Sequence, residues 1–165
     1  ADAALAWFAR LLYAGVDPRL IARRIIAHAS EDVGLANPNA LLLANSTYQI
    51  VHSIGMPEAR IPLGDAAVLM ATSPKSNSAY LALDRAFADI RKGKGGDFPR
   101  HLQNVHADTY TMEREQGYKY PHNYPGHWIE QQYLPDDLKD TKYYEYGPNK
   151  VEQAAKQYWD AIKGK

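Results

Sequence analysis

Apolar residues in the first part of the chain recur at the three- and four-residue spacing of an α-helix, and glycines and prolines divide this pattern into segments. The first segment starts at Asp2, which we expect to cap the helix with its side-chain oxygen. Gly15 ends it, since glycine tolerates the left-handed position after a helix. The apolar side chains that share one face of this helix are Leu5, Phe8 and Leu12.

Three further helices are predicted where a capping residue precedes proline, at Asp17-Pro18, Asn37-Pro38 and Ser73-Pro74. The polar side chain accepts an N–H of the first turn, and proline at the first helical position loses only an N–H that has no partner there. The predicted ends of these helices are, in chain order, around Gly34, at Gly55 and at Arg91.

A further helix is predicted to open at Pro62, with small residues that let a neighbouring helix approach closely. Its inward side chains are expected to be Leu63, Ala66, Ala67 and Met70. The apolar positions of the helix before it are Leu41, Leu42, Tyr48, Val51 and Ile54, and those of the helix after it are Tyr80, Leu83, Phe87 and Ile90.

The pattern becomes irregular after Lys92, beginning with the glycine-rich loop 93–96. Tyrosine marks this part, since nine of the twelve tyrosines lie between Tyr110 and Tyr158. We expect this aromatic segment to wrap on the helical core. The elements predicted in it are a short helix at 108–116, extended pieces at 118–124 and 142–146, a turn at 128–133 and a last helix from Lys150 to Ile162, with Val151, Ala154, Ala155, Tyr158 and Ile162 on one side.

The helical spacing indicates an all-α fold, and the length suits a single domain, 1–165, with a helical core at about 1–92 and the wrapped segment and last helix at about 98–163. Lys plus Arg equals Asp plus Glu at 19 each, so no global charge attracts nucleic acid. Cysteine is absent, which excludes disulfides, thiolate zinc sites and a cysteine nucleophile. No apolar run is long enough to span a bilayer, and we expect no membrane partner. The chain begins with Ala, and we expect it to be a piece of a longer protein.

Candidate catalytic chemistry is weak in this sequence. The loop 93–96 contains glycines and a lysine, but it follows a helix and lacks the spacing of a phosphate-binding loop. His122 and His127 share a turn, yet a zinc site needs three or four ligands. His28 with the Ser30-Glu31-Asp32 run has the residue types of a nucleophilic site, but a helix end explains the same residues. We therefore assign no catalytic, cofactor-binding or metal-binding residue.

Basic residues interleaved with aromatic ones offer a possible surface for nucleic acid or a partner, because cations bind phosphates and rings stack on bases. The alternative is that the tyrosine rings pack inside with their hydroxyls at the rim. Lys75 stands apart, at the predicted start of a helix where exposed N–H groups attract anions. The contact candidates are Lys75, Arg91, Lys92, Lys94, Arg100, Tyr118, Lys119 and Tyr120.

Three stretches carry a resemblance to a known family: 22–38, with the motif SEDVGLANP, 71–80, with PKSNSAY, and 117–122 with 133–135. With these and with Gly55-Met56-Pro57-Glu58, the chain resembles, over its whole length, the C-terminal region of the replication-associated recombination protein A family. This is the MgsA/RarA group, related to Werner helicase-interacting protein.

The resemblance implies an all-helical domain that follows the ATPase part of an AAA+ protein related to clamp loaders, and resembles the collar of those proteins. It implies that this domain mediates oligomerisation, as a homotetramer, and has no chemistry of its own. The parent is expected to be a DNA-dependent ATPase that binds ATP and Mg upstream of this region. Its expected partners are DNA and single-strand DNA-binding protein at stalled forks, and its expected location is the cytoplasm, associated with the nucleoid.

Three hypotheses follow. The first is an assembly domain whose Ala-rich face, Ala66 to Ala71, packs across a subunit boundary. The second is a binding module that uses the basic and aromatic region 91–120. The third is an enzyme that uses His122 and His127 with a metal.

Overall fold

The computed structural model describes residues 1–103 and 117–164, and over these ranges the chain is helical and contains no strand. The predicted all-α class is therefore confirmed. The predicted helix at 108–116 lies outside the described residues. The α-helices within these ranges are α1 (Asp2–Tyr13), α2 (Pro18–His28), α3 (Asn39–Ile54), α4 (Arg60–Thr72), α5 (Ser78–Arg91) and α6 (Lys150–Ile162).

The chain divides into two compact units, each built from two segments. Unit 1 contains Ala1–Leu81 and Tyr144–Lys156, and unit 2 contains Ala82–Tyr143 and Gln157–Lys165. Helices α5 and α6 each contribute residues to both units. The expectation that residues 1–165 form one domain, with the aromatic segment wrapped on the core, stays a prediction.

The core of unit 1 forms where α2, α3 and α4 meet, with α1 packed on α4. Leu63 and Ala66 are fully buried there, and Ala67 and Met70 are partly buried, which confirms the predicted inward face of α4. Because Ala66 lies inside the chain, it is not available at a subunit boundary, contrary to expectation. The buried residues of this core are Ile21, Ala22, Ile25, Ala29, Val33, Ala40, Ala44, Val51, Ala59, Leu63 and Ala66.

Only one of the predicted side-chain caps at the helix starts is present. Asp17 accepts the N–H of Arg19 at 2.8 Å, with Pro18 in the first turn, as predicted. Asp2 is itself the first helical residue of α1 and caps nothing. The side chain of Asn37 instead donates to the hydroxyl of Ser73 at 3.1 Å, so Asn37 does not cap α3.

Two helix starts differ from their predicted positions. Helix α4 begins at Arg60, two residues before Pro62. Helix α5 begins at Ser78, five residues after the predicted cap Ser73. Ser73 has an extended backbone and ends α4, and the N–H of Ser76 donates to the carbonyl of Asp32 at 2.8 Å. This long-range hydrogen bond keeps the segment after Pro74 out of the helix.

Helix α2 ends at His28 and continues as a π-helical turn, Ala29–Val33, followed by Gly34 at a φ of 48°. A β-carbon on Gly34 would lie 2.5 Å from the carbonyl oxygen of Ser76. Glycine is therefore required here both for its positive φ and for the close approach of the second segment. The predicted break around Gly34 is confirmed.

The described part of unit 2 is irregular apart from its shares of α5 and α6, and its buried hydrophobic residue is Leu138. The turn predicted at 128–133 is wrong, since 3₁₀ turns form at Pro121–Asn123 and Pro125–His127 instead. Proline at the first position of each turn explains this shift. None of the helices in the described ranges has the length and apolarity needed to cross a membrane.

Candidate functional site

The face of α5 that carries its large apolar residues is exposed. Leu83, Phe87 and Ile90 are exposed by 58%, 49% and 54%, although they follow one another at helical spacing on one side of the helix. The half-buried residues of the same stretch are Ala82, Ala86 and Asp89, which point in another direction. We call the set Leu83, Phe87 and Ile90 the α5 stripe.

The predicted contact residue Arg91 lies beside this stripe. Its guanidinium carbon is 5.7 Å from the centroid of the Phe87 ring, which is a cation–π contact. The contact leaves Arg91 exposed, so its charge stays in solvent next to an apolar surface. Lys92 follows it and is also exposed.

Lys94, in the glycine-rich loop 93–96, is paired with a carboxylate of the same unit. Its ammonium lies 3.0 Å from one carboxylate oxygen of Asp89, and the other oxygen accepts the hydroxyl of Tyr143 at 3.1 Å. The hydrogen bond from Lys94 lowers the pKa of Asp89, and the same bond raises the pKa of Lys94. Most of the positive charge that Lys94 would present to a phosphate is therefore neutralised locally.

Lys75 lies in unit 1 and serves the end of a helix. Its ammonium donates to the carbonyl of Met70 at 2.8 Å and to the carbonyl of Ser73. Both carbonyls belong to the C-terminal end of α4, where a cation is favourable. An anion site was expected around Lys75, but the ammonium of Lys75 donates to carbonyl oxygens at the end of α4.

The remaining predicted contacts lie in unit 2. Arg100 donates to the side chain of Gln103 at 2.7 Å. The backbone of Lys119 exchanges two hydrogen bonds with the amide of Gln131, at 3.1 and 2.7 Å, which holds Tyr118 and Tyr120 in place on either side. These two tyrosines are 48% and 53% exposed, so their rings are not packed inside. Binding by any of the eight predicted residues stays a prediction.

Glu152 is the polar centre that sequence reasoning missed. It is only 2% exposed on the first turn of α6, whereas Val151 and Tyr158 of the predicted apolar side are 47% and 62% exposed. One oxygen accepts the hydroxyl of Tyr144 at 2.7 Å, the N–H of Gly147 at 3.1 Å and the hydroxyl of Ser78. The other accepts the side-chain amide of Asn149. The N–H of Glu152 donates to the oxygen of Asn149 at 3.0 Å, a capping arrangement whose Asn-x-x-Glu spacing was visible in the sequence.

The hydrogen bonds around Glu152 keep it ionised. Burial alone raises the pKa of a carboxyl group, but the donors, including Ser76 and Ser78, outweigh burial and lower the pKa of Glu152 to about 2. Burial and the bond to this carboxylate raise the pKa of Tyr144 to about 12. The carboxylate therefore ties Tyr144–Lys156 to the start of α5 within unit 1.

The histidine candidates do not assemble a metal site. The rings of His122 and His127 have centroids 4.9 Å apart, and His122 also contacts Tyr120 at 5.1 Å. Among the described residues, no group of three or more His, Asp or Glu side chains is placed to hold a metal ion. His28 contacts Asp32 at 2.6 Å across the π-helical turn.

A family model described as the C-terminal part of the MgsA AAA+ ATPase matches residues 1–163 of this chain. The chain is 50% identical over 164 residues to the replication-associated recombination protein A of Bacillus subtilis, covering 98% of this chain and 39% of that protein. It is 39% identical over 147 residues to the protein of the same name from Escherichia coli, covering 87% of the chain and 32% of that protein.

A eukaryotic relative is the ATPase WRNIP1 of Dictyostelium discoideum, 39% identical over 153 residues, which cover 88% of this chain and 17% of that protein. The chain therefore spans well under half the length of these relatives.

Proposed function

Because this chain belongs to the MgsA family of AAA+ ATPase C-terminal domains, we propose that it is the assembly domain of a longer ATPase that acts in DNA replication, recombination and repair at stalled forks. In this proposal the chain itself performs no chemistry. ATP and Mg bind in the upstream ATPase part, and the domain holds the subunits together as a homotetramer. DNA and single-strand DNA-binding protein are reached through the full-length protein, which works in the cytoplasm at the nucleoid.

The observation that carries the proposal is the α5 stripe. A helix of a monomeric domain normally buries its apolar face, whereas Leu83, Phe87 and Ile90 remain about half exposed. Exposed apolar surface of this kind marks protein interfaces.

The spacing of the stripe suits pairing with a second copy. Phe87 lies near its middle, so an antiparallel helix related by a two-fold axis would bring Leu83 against the partner's Ile90. Closed two-fold interfaces use the same patch on both subunits, and a tetramer with D2 symmetry is assembled from such interfaces. The stripe supplies one of the surfaces that a tetramer needs.

Light scattering across a concentration series tests the proposal. We expect the chain to have the mass of a tetramer and Phe87→Glu to have a smaller mass, because the charge would be desolvated at the interface. Ala88→Glu is the matched control, since it adds the same charge at the next position, on an exposed part of α5 outside the stripe. A monomer at every concentration overturns the proposal, and an equal loss in both variants overturns the role of the stripe.

The second candidate function is a surface for single-stranded DNA or a replication partner, and the exposure of Tyr118 and Tyr120 favours it. Exposed rings stack on bases, and Arg91, Lys92, Arg100 and Lys119 in the same unit supply cations for phosphates. Double replacement of Tyr118 and Tyr120 by serine should then weaken binding of a single-stranded oligonucleotide in low salt. Unchanged binding removes these rings from the interface.

A further inference from the structure

An apolar cavity opens in unit 1 between α1, α2 and α4, and nothing in the proposed assembly role uses it. Its volume is about 280 Å³. Most of its wall is apolar and consists of Ala4, Ile25, Val33, Ala67, Met70 and Ala71, while His28, Asp32 and Lys75 complete the lining. Because apolar atoms form most of this surface, an apolar group suits the interior, with polar atoms of its backbone directed at the three polar residues.

Helix α1 continues this apolar surface beyond the cavity. It has no buried residue, and only its Leu5, Phe8 and Leu12 side is partly buried. Trp7 is 64% exposed and Leu11 is 44% exposed. Because they follow Ala4 by three and seven residues, they share its side of the helix.

We call Ala4, Trp7, Leu11 and the adjoining cavity the α1 groove. The guanidinium carbon of Arg10 lies 5.5 Å from the centroid of the Trp7 ring, yet 64% of Trp7 stays exposed one turn from the cavity wall at Ala4. Burial of this large apolar ring would be favourable. The groove therefore lacks its covering layer.

We propose that the polypeptide preceding Ala1 in the full-length protein packs into the α1 groove and places apolar side chains in the cavity. This inference rests on the proposed place of the chain at the C-terminal end of a longer ATPase. The matched family model describes a C-terminal part, and the chain covers 39% of its Bacillus subtilis relative, so the additional residues of that relative are long enough to supply the covering segment.

The first turn of α1 determines where that polypeptide arrives. The N–H of Leu5 donates to the carbonyl of Ala1 at 2.9 Å, so Ala1 is held in the same turn as Ala4. A preceding segment thus enters within one helical turn of the cavity wall. The covalent link to Ala1 gives the preceding segment a high effective concentration at the groove.

Cysteine labelling tests this proposal, since the described chain contains no cysteine of its own. Ala4→Cys is introduced into the full-length protein and into the isolated chain, and alkylation by iodoacetamide is followed by mass spectrometry of the peptide that contains it. Tyr13→Cys is the matched control, because Tyr13 is 96% exposed on the opposite side of α1. Ala71→Cys, on the other wall of the cavity, guards against a folding defect in the first variant.

We expect alkylation at positions 4 and 71 to be about tenfold slower or more in the full-length protein, with the control unchanged, because covered sites react only through local opening. Equal rates in both proteins overturn the proposal. Protection in the isolated chain that grows with its concentration assigns the groove to a second copy and also overturns it. The mass of the isolated chain is measured in parallel. If the isolated chain is a monomer but the groove is protected in the full-length protein, the assembly function alone is refuted. If the isolated chain is a tetramer but the groove is reactive in the full-length protein, this inference alone is refuted.

Discussion

Tyr144 donates its hydroxyl to the carboxylate of Glu152 at 2.7 Å, and both residues belong to the short segment that completes unit 1. The pair joins an aromatic side chain to the first turn of α6 through a charge that is almost entirely buried. A buried carboxylate is stable only when its oxygens are fully hydrogen-bonded. The segment Tyr144–Lys156 is therefore positioned by polar contacts as much as by apolar packing.

Glu152→Gln should destabilise the chain by roughly 2–3 kcal/mol, because an amide N–H₂ replaces an oxygen that now accepts hydrogen bonds. Chemical denaturation at neutral pH measures this loss. Tyr144→Phe removes one donor and should cost less, roughly 1–2 kcal/mol. A Glu152→Gln variant as stable as the parent would show that the carboxylate is not required.

Acid should weaken the folded state through the same residue. The pKa of Glu152 is lowered in the folded chain from 4.5 to about 2, so its contribution is complete above pH 4.5 and is lost as the pH falls toward 2. Thermal unfolding between these pH values should show a steeper loss of stability in the parent than in Glu152→Gln. Parallel curves for the two proteins would contradict the assignment.

Gly147 and Gly64 should respond oppositely to alanine. A β-carbon on Gly147 would lie 2.7 Å from a carboxylate oxygen of Glu152 and 3.0 Å from the amide nitrogen of Asn149, so the hydrogen-bonded cluster must shift. We expect Gly147→Ala to cost roughly 1–3 kcal/mol. Gly64 lies inside α4 with nothing within 4 Å of its β-carbon position, so Gly64→Ala should stabilise by roughly 0.5–1 kcal/mol. The melting temperature should fall in Gly147→Ala and rise in Gly64→Ala. A shift of the same sign in both variants refutes the predicted opposite effects.

Lys75→Met should lower stability by roughly 0.5–1.5 kcal/mol, because the carbonyls at the end of α4 lose their cationic donor. Arg23→Met, at an exposed position of α2, is the control and should change little. Denaturant titration compares the two. If both variants keep the parental stability, the capping contact has no energetic role, and Lys75 becomes a stronger candidate for binding anions.

Lys92→Glu should weaken binding of a single-stranded oligonucleotide more than Lys94→Glu. Both reversals change the net charge equally, but Lys94 is already paired with Asp89 at 3.0 Å, whereas Lys92 is exposed. Loss of one phosphate contact should reduce the salt dependence of binding by about 0.7 in the log–log slope. Fluorescence anisotropy at two salt concentrations gives both values, and equal losses would mean that only net charge matters.

The pattern of apolar residues, with its prolines and glycines, was enough to predict the all-α class and the order of the helices. Local rules act within a few residues, so Asp17 with Pro18 started α2, Gly55 ended α3 and the bounds of α6 followed from the sequence. The family resemblance depended on contiguous motifs, and the family match over residues 1–163 confirms it.

Tertiary structure decided what the local rules could not. Ser73 and Asn37 have the residue types of caps, but they bond to each other across 36 positions, and Ser76 bonds to Asp32, so α5 starts later than its signal. Periodicity placed Val151 and Tyr158 on an apolar side of α6, yet they stay 47% and 62% exposed, while Glu152, outside that side, is buried. Burial of a charge depends on donors brought from distant segments, which periodicity does not reveal. The sequence did not reveal the exposure of the α5 stripe either. Spacing defines a helix face, and only the packing of the whole chain determines whether that face is covered.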